Sequence, residues 1–275
     1  MNIRSALFIP ADRADLVAKA GRVDAGAVIL DLEDGVGFDA KASARQQLGE
    51  LLGLLRETTN SLVAIRVNHP SSPMFSEDLG ALPQGLDAVV VPKLASPDEA
   101  ADALGALETI GHGTAGLIAG IESAAGVLHA EAIVSQPGVS ACYFGAEDLI
   151  GDLGGRRSAE GTEVLYARSH VAICARVAGV PALDQIVADF GDDERFLADA
   201  ALGRSLGYAG KMCIHPAQVP IAEQAFTPTP EELAEARAVL AALSAGGVAV
   251  VDGRMVDGPM AQAARRTLAR AGLDA

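Results

Sequence analysis

The sequence predicts an α/β protein folded as one (β/α)8 TIM barrel with a C-terminal helical extension. Eight short apolar runs read as strands, and helix-compatible segments separate most of them, which is the alternation typical of a parallel sheet. The length of 275 residues, half of them hydrophobic, suits a single barrel with a full core. We therefore expect a catalytic barrel domain over 1–222 and a helix and lid extension of the same domain over 223–275.

The elements follow one another along the chain at short intervals. Strands are predicted at 6–10, 27–31, 62–68, 88–91, 116–122, 141–144, 180–184 and 211–215. Helices are predicted between them, for example at 41–57, 97–107, 124–134, 164–178 and 193–206. Gly179, Gly207 and Gly210 stand before the last two strands, where glycine commonly ends a helix or forms a turn. Gly179, Gly207 and Gly210 fall in neither a GxGxxG nor a Walker pattern, so they do not indicate a nucleotide-binding loop.

A tail follows the eighth strand. Thr229-Pro-Glu-Glu232 places a capping residue, a proline at the first helical position and an acid at the third, which predicts a helix from here to about 246. Apolar residues broken by Asp-Gly turns come next, and a short helix after them. This extension could cover a neighbouring molecule.

Composition excludes several classes of function. A formal net charge of −15 without a compensating basic run argues against nucleic acid or an anionic membrane as partner. The three cysteines are far apart in apolar stretches, which favours core packing in a reducing environment. The first strand begins without a signal-peptide hydrophobic region, and no apolar run approaches the length of a membrane span. We expect a soluble, cytoplasmic protein.

Two acidic residues end consecutive strand-like segments. Glu122 closes Gly116-Leu-Ile-Ala-Gly-Ile-Glu, and Asp148 closes Ala141-Cys-Tyr-Phe-Gly-Ala-Glu-Asp. Carboxylates at the ends of neighbouring parallel strands project into the ligand crevice and can share one hard cation, so a Mg²⁺ site is the leading interpretation. The alternative for each residue alone is structural: Asp148 would cap a helix and Glu122 would pair with a basic side chain.

Further polar residues fall at the carboxyl ends of strands two to four. They are Asp31-Leu-Glu-Asp34, Arg66-Val-Asn68 and Pro92-Lys93. Converging carboxylates repel one another and need a cation, which strengthens the metal interpretation. Arg66 offers a planar fork for a substrate carboxylate, and an ion pair with Asp31 or Asp34 is an equal alternative. Lys93 is a weaker candidate, either for stabilising developing negative charge or for neutralising a strand-end acid.

The order of these motifs resembles the citrate lyase β-subunit-like proteins of the HpcH/HpaI aldolase/citrate lyase superfamily, which includes citryl-CoA, malyl-CoA and citramalyl-CoA lyases. The resemblance spans nearly the whole chain. It is carried by Asp31-Leu-Glu-Asp34, Arg66-Val-Asn68, Pro92-Lys93, Ile121-Glu-Ser123, Gly145-Ala-Glu-Asp148, Gly210-Lys211, Ile214-His-Pro216 and Asp257-Gly-Pro259.

The resemblance implies a role for each matching residue. Glu122 and Asp148 would be the protein ligands of Mg²⁺, for which Mn²⁺ could substitute, and Arg66 would bind the substrate carboxylate. Glu33 would act in proton transfer together with Asp257 from the tail of an adjacent subunit, in a homo-oligomer such as a trimer or hexamer. His215 is better explained as a hydrogen-bonded structural histidine.

The expected activity is a Mg²⁺-dependent, reversible carbon–carbon cleavage of a 3-hydroxyacyl-CoA to a 2-oxo acid and an acyl-CoA. One alternative is a thioesterase that acts on malyl-CoA or a similar thioester. Another is a subunit of a multisubunit citrate lyase, or a ligand-binding barrel, without activity alone. The sequence does not choose between 2-oxo acids.

Overall fold

The computed structural model describes residues 3–244, 246–251 and 253–273. Eight parallel strands pair in sequence order, and β1 also pairs with β8, so the sheet closes and the predicted (β/α)8 barrel is confirmed. The chain divides into two compact units, Met1–Glu223 and Gln224–Ala275. Within the described ranges, no helix is both long enough and apolar enough to span a membrane.

The first unit contains the barrel. Its strands are β1 (Ser5–Pro10), β2 (Ala27–Asp31), β3 (Leu62–Arg66), β4 (Ala88–Val91), β5 (Gly116–Ile121), β6 (Val139–Phe144), β7 (Ala182–Asp184) and β8 (Gly210–Cys213). Its helices are α1 (Ala14–Ala20), α2 (Lys41–Thr58), α3 (Phe75–Ala81), α4 (Pro97–Thr109), α5 (Ala124–Leu128), α6 (Ala130–Val134), α7 (Ala146–Asp152), α8 (Leu165–Ala178) and α9 (Asp193–Leu206). A 3-10 turn (Phe38–Ala40) precedes α2, and α10 (Gln218–Phe226) crosses the boundary between the units.

The helix ends follow from local chemistry. Gly179 and Gly207 end α8 and α9 in the left-handed conformation, with φ of 75° and 106°, as their positions in the sequence predict. The segment predicted as one helix over 124–134 is instead two short helices, α5 and α6. They meet at His129, whose backbone leaves helical geometry and whose ring Nδ1 donates to the carbonyl oxygen of Ala95 at 2.8 Å.

The barrel interior is filled by alternate residues of the strands, because successive side chains of a strand point to opposite faces. This buried cluster contains Ala6, Ala27, Ile29, Ala64, Ala88, Val90, Ile118, Ala141, Tyr143, Leu183 and Met212. Strands β3, β5 and β8 end earlier than predicted, at Arg66, Ile121 and Cys213. Glu122 consequently lies just past the last hydrogen-bonded position of β5, on the catalytic side of a barrel.

The seam around β7 is held largely by charged side chains. β7 has three residues and pairs with β8 at two positions only. Arg168 donates to the two oxygens of Asp184 from Nε and Nη2, and Lys211 Nζ lies 3.0 Å from Asp184 Oδ2. Both cations also contact Asp199. Two cations and two anions therefore neutralise one another inside the protein wall, which is the condition for burying them.

The second unit contains α11 (Pro230–Leu243), the antiparallel pair β9 (Ala249–Val251) and β10 (Arg254–Val256), and α12 (Gly258–Arg270). Thr229 and Glu232 form a reciprocal capping box at the start of α11, which confirms the helix predicted here. Asp252, part of one predicted turn, lies outside the described residues. The unit has its own apolar cluster, formed by Ala236, Val239, Val256, Ala264 and Leu268.

Candidate active site

A cavity of about 480 Å³ lies at the carboxyl ends of the barrel strands. Its apolar lining includes Phe8, Tyr143, Ile186 and Met212, and its charged lining consists of Asp31, Asp34, Arg66, Glu122, Glu147 and Asp148. Five carboxylates and one guanidinium leave this cavity with an excess of negative charge. Such a lining attracts a hard cation, because carboxylate oxygens are the ligands of such ions and would otherwise repel one another.

Glu122 is buried, with 3% of its surface exposed. Its Oε1 accepts hydrogen bonds from the hydroxyl of Tyr143 and from the backbone N–H of Lys93. Among the residues that the structure describes, none donates to Oε2, which lies against Gly145. Burial raises the pKa of Glu122 to about 7, and nearby acids contribute in the same direction while the Tyr143 hydroxyl opposes them. A cation bound beside this carboxyl group would stabilise its ionised form.

Asp148 lies in the first turn of α7, and its side chain is 39% exposed. Its Oδ1 is 3.4 Å from Lys93 Nζ. The alternative that Asp148 caps a helix is not what the structure shows, because Gly145 holds the N-cap position of α7. Its carboxylate is therefore available at the cavity beside Glu122.

Arg66 forms an ion pair with Asp31, which is one of the two interpretations that the sequence left open. Its Nε and Nη2 donate to the two oxygens of Asp31 at 2.6 and 2.7 Å. The two residues are register partners on adjacent strands, so their side chains point to the same side of the sheet. Although burial opposes it, Asp31 raises the pKa of Arg66, which stays charged. Arg66 also lies over the Phe8 ring, 4.5 Å from its centroid.

One nitrogen of the Arg66 guanidinium, Nη1, makes no hydrogen bond to Asp31. Nη1 lies 2.9 Å from Glu33 Oε2, but the two atoms are not aligned for a hydrogen bond, and Glu33 Oε2 is buried without a hydrogen-bond partner. A donor and an acceptor with unused capacity thus lie side by side. A polar substrate group could bond to both, since buried polar atoms are normally satisfied.

Glu33 is held from two directions. Its Oε1 accepts from Lys93 Nζ at 2.6 Å, and the buried ammonium of Lys41 donates to the backbone carbonyls of Leu32 and Glu33 at 2.6 and 2.8 Å. Burial raises the pKa of the Glu33 carboxyl, while Arg66 and Lys93 oppose this. Sequence reasoning missed Lys41, whose place in a helix gives no signal of a buried contact.

Lys93 contacts three acidic side chains of the site, which its position in the sequence does not indicate. Its Nζ lies 2.6 Å from Glu33, 2.9 Å from Asp34 and 3.4 Å from Asp148. Its backbone has φ of 55°, a left-handed conformation that costs energy for a residue with a side chain. The Pro-Lys pair at the end of strand four was the available signal, but it does not reveal this conformation.

Two other predicted residues, Asp257 and His215, make contacts of a different kind. Asp257 caps α12 in the second unit, where its Oδ1 accepts from the Met260 N–H at 3.4 Å. His215 accepts from the N–H of Ala217 and stacks on Phe190, with ring centroids 4.9 Å apart, which fits the structural role favoured for it.

The cavity residues are compatible with a divalent cation. In the described ranges no three His, Cys, Asp or Glu residues form a metal-binding group, so a cation here would rely on two protein carboxylates and on other oxygen ligands. Glu122 supplies an oxygen without a hydrogen-bond donor, and Gly145 leaves space beside it, because a Cβ there would stand 2.2 Å from Oε2. The donor set is all oxygen, as Mg²⁺ prefers.

Fold and cavity together define a (β/α)8 barrel with an acid-rich site at the carboxyl ends of its strands, the arrangement of barrel enzymes. The family model for HpcH/HpaI aldolase/citrate lyase matches residues 4–216, and the chain belongs to this family. The family predicted from the motifs is confirmed, and so, at this level, is the expectation of an enzyme.

Similar proteins extend over the whole chain. A citrate lyase subunit beta-like protein of Deinococcus radiodurans is 46% identical, covering 97% of this chain and 96% of that protein. A (3S)-malyl-CoA thioesterase of Cereibacter sphaeroides is 34% identical, with coverages of 98% and 94%. The crystal structure of CitE from Mycobacterium tuberculosis in complex with magnesium, acetoacetate and coenzyme A has a TM-score of 0.81 at 34% identity, with coverages of 98% and 97%.

Proposed function

We propose that the protein is a Mg²⁺-dependent carbon–carbon lyase. It would cleave a 3-hydroxyacyl-CoA such as malyl-, citramalyl- or citryl-CoA to a 2-oxo acid and an acyl-CoA, or form it by the reverse Claisen-type condensation. The observation that carries the proposal is the placement of Glu122 and Asp148 at one cavity beside Arg66. The similarity to CitE crystallised with magnesium, acetoacetate and coenzyme A supports it.

Glu122 and Asp148 would hold the cation, and Mn²⁺ is expected to substitute for Mg²⁺. When bound, the ion supplies Lewis acidity toward the oxygens of the oxo-acid end. Arg66 binds the substrate carboxylate through Nη1, since Asp31 occupies its other two donor positions. Asp31 in turn fixes the plane of the guanidinium, so the remaining donor is oriented before substrate arrives.

Proton transfer is assigned to Glu33 with Asp257 of an adjacent subunit. In cleavage, the substrate hydroxyl loses its proton, the carbon–carbon bond breaks, and its electron pair passes to the acyl-CoA as an enolate. Protonation of the enolate α-carbon completes the reaction, and the hydroxyl carbon becomes the carbonyl of the 2-oxo acid. Burial raises the pKa of Glu33, which suits a carboxyl that must carry a proton. Lys93, 2.6 Å away, holds its Oε1 in place.

The sharing of Asp257 makes a homo-oligomer, a trimer or hexamer, part of the proposal, because the residue belongs to the second unit of the chain. Symmetric assembly would let every tail serve a neighbouring barrel. Free CoA thioesters as substrates and a Mg²⁺-dependent reaction are consistent with a cytoplasmic enzyme.

The test is a panel of 3-hydroxyacyl-CoA thioesters incubated with the purified chain, with and without Mg²⁺, while 2-oxo acid and free thiol are measured together. A lyase releases 2-oxo acid without thiol and only when the metal is present. Metal-independent turnover, or no 2-oxo acid from any member of the panel, would overturn the proposal.

A thioesterase is the second candidate, because the Cereibacter sphaeroides relative carries that name. It would use the same cavity to bind the thioester but release free CoA thiol in a 1:1 ratio with acid. A citrate lyase subunit or a binding barrel that is inactive alone is the third, since other relatives are named subunit beta. It would show no turnover of free thioesters and gain activity only with partner subunits.

A further inference from the structure

Glu122 sits in a confined environment built by three strand ends. Its Oε1 receives the Tyr143 hydroxyl from β6 and the Lys93 N–H from the end of β4. Two glycines flank it: a Cβ on Gly120 would stand 2.6 Å from Oε1, and one on Gly145 would stand 2.2 Å from Oε2. The carboxylate consequently has one orientation, with Oε1 bonded to the protein and Oε2 beside the cavity-lining Gly145.

The two donors differ in how they are maintained. The Lys93 N–H donates to Oε1 from a residue whose φ is 55°, a strained conformation that persists only where the surrounding structure supports it. The Tyr143 hydroxyl donates to Oε1 without a strained backbone, because the Tyr143 side chain belongs to the barrel interior.

We propose that Tyr143 is a positioning residue for the cation site: its hydroxyl fixes Oε1 of Glu122 so that Oε2 is presented to a bound divalent ion. This inference rests on the metal site of the proposed function and adds a residue to which the sequence analysis assigns no role. Groups that orient a metal-binding side chain through hydrogen bonds commonly alter metal affinity 10- to 100-fold when removed.

A packing role alone makes a different prediction. Tyr143 belongs to the barrel core and packs edge-on against Phe8, with ring centroids 6.4 Å apart. Phenylalanine keeps the ring, its volume and that contact, so Tyr143→Phe removes the hydroxyl only. Tyr208 provides a matched control: it is fully buried, and its hydroxyl donates to the Arg168 carbonyl at 2.8 Å, a contact outside the residues that line the cavity.

The experiment measures Mn²⁺ affinity of the full chain by electron paramagnetic resonance, with Mg²⁺ competition, for the parent, Tyr143→Phe, Tyr208→Phe and Glu122→Gln. Thermal unfolding in EDTA confirms that each variant is folded. Tyr143→Phe should bind Mn²⁺ about 10- to 100-fold more weakly than the parent. Tyr208→Phe should match the parent in affinity even where its unfolding midpoint falls.

The outcomes separate this inference from the proposed function. Parent-like Mn²⁺ affinity of Tyr143→Phe, with strong loss in Glu122→Gln, would overturn the role of Tyr143 and leave the metal site standing. Parent-like affinity of Glu122→Gln, or no binding by the parent, would overturn both. If Tyr143→Phe does not fold, Tyr143→Leu, which also removes the hydroxyl, replaces it, and parent-like Mn²⁺ affinity of that variant would overturn the role of Tyr143.

Discussion

Replacing Glu122 by Gln should make the metal-free protein less sensitive to pH. The pKa of Glu122 is about 7 in the folded chain, against an ordinary value of 4.5. Between these values the folded chain keeps a proton that the unfolded chain has already released. The unfolded state then binds fewer protons, so stability falls as pH rises. The contribution of this group is complete below pH 4.5 and is lost as pH rises through 7.

The size of the effect follows from the two pKa values. Integrating the difference in bound protons between pH 5 and pH 8 gives a loss of about 2 to 3 kcal/mol of unfolding free energy from this one group. Gln at position 122 has no titrating proton, so that loss disappears in Glu122→Gln. Any constant cost of the substitution affects both pH values equally and cancels from the comparison.

The assay is urea unfolding of parent and variant in EDTA at pH 5 and pH 8. The parent should lose about 2 to 3 kcal/mol more than Glu122→Gln over this interval. Glu160→Gln, a change at an exposed acid, serves as control and should follow the parent. An equal pH dependence in parent and Glu122→Gln would contradict this prediction, because Glu122 would then ionise normally despite its burial.

Three further outcomes are expected. Mg²⁺ at pH 8 should raise the unfolding midpoint of the parent but not of Glu122→Gln or Asp148→Asn, as followed by calorimetry; an equal rise in all three would place the ion elsewhere. Arg66→Lys should weaken 2-oxo acid binding by about 1 to 3 kcal/mol in titration calorimetry, because a single ammonium group cannot replace both the two-point pair with Asp31 and the separate Nη1 donor. Unchanged affinity would assign Arg66 a structural role. Mixed Asp257→Ala and Glu122→Gln subunits, each inactive alone, should regain partial lyase activity after exchange, and full turnover by Asp257→Ala alone would disprove the shared site.

Much of the fold could be predicted because its signals are local. The apolar runs of the strands, the Thr229 cap and the left-handed glycines at 179 and 207 are each decided by residues adjacent in the sequence. The same holds for the placement of Glu122 and Asp148 at one cavity, since consecutive strand ends of a barrel are neighbours.

The partners within the site could not be predicted, because they depend on register and on side-chain direction. Arg66 had two open interpretations, and only the alignment of Asp31 with Arg66 across β2 and β3 decides how its fork is used. Tyr143 reads as an ordinary core aromatic until its hydroxyl is seen on Glu122. The break at His129 likewise comes from a distant carbonyl, that of Ala95, and not from a local breaker.

The charged seam beside β7 has a consequence for behaviour on heating. The charged groups of this seam are buried, with Arg168 at 2% exposure and Lys211 at 0%. The hydration of such ions becomes less favourable as temperature rises, so the free-energy penalty for burying them becomes smaller. Hydrophobic contacts elsewhere in the barrel are not stabilised in this way as temperature rises. β7, the shortest strand of the barrel, with two register pairs to each neighbour, therefore becomes more stable relative to its neighbours as temperature rises. Amide exchange in β7 should accelerate less steeply with temperature than exchange in β4, a strand of four apolar residues.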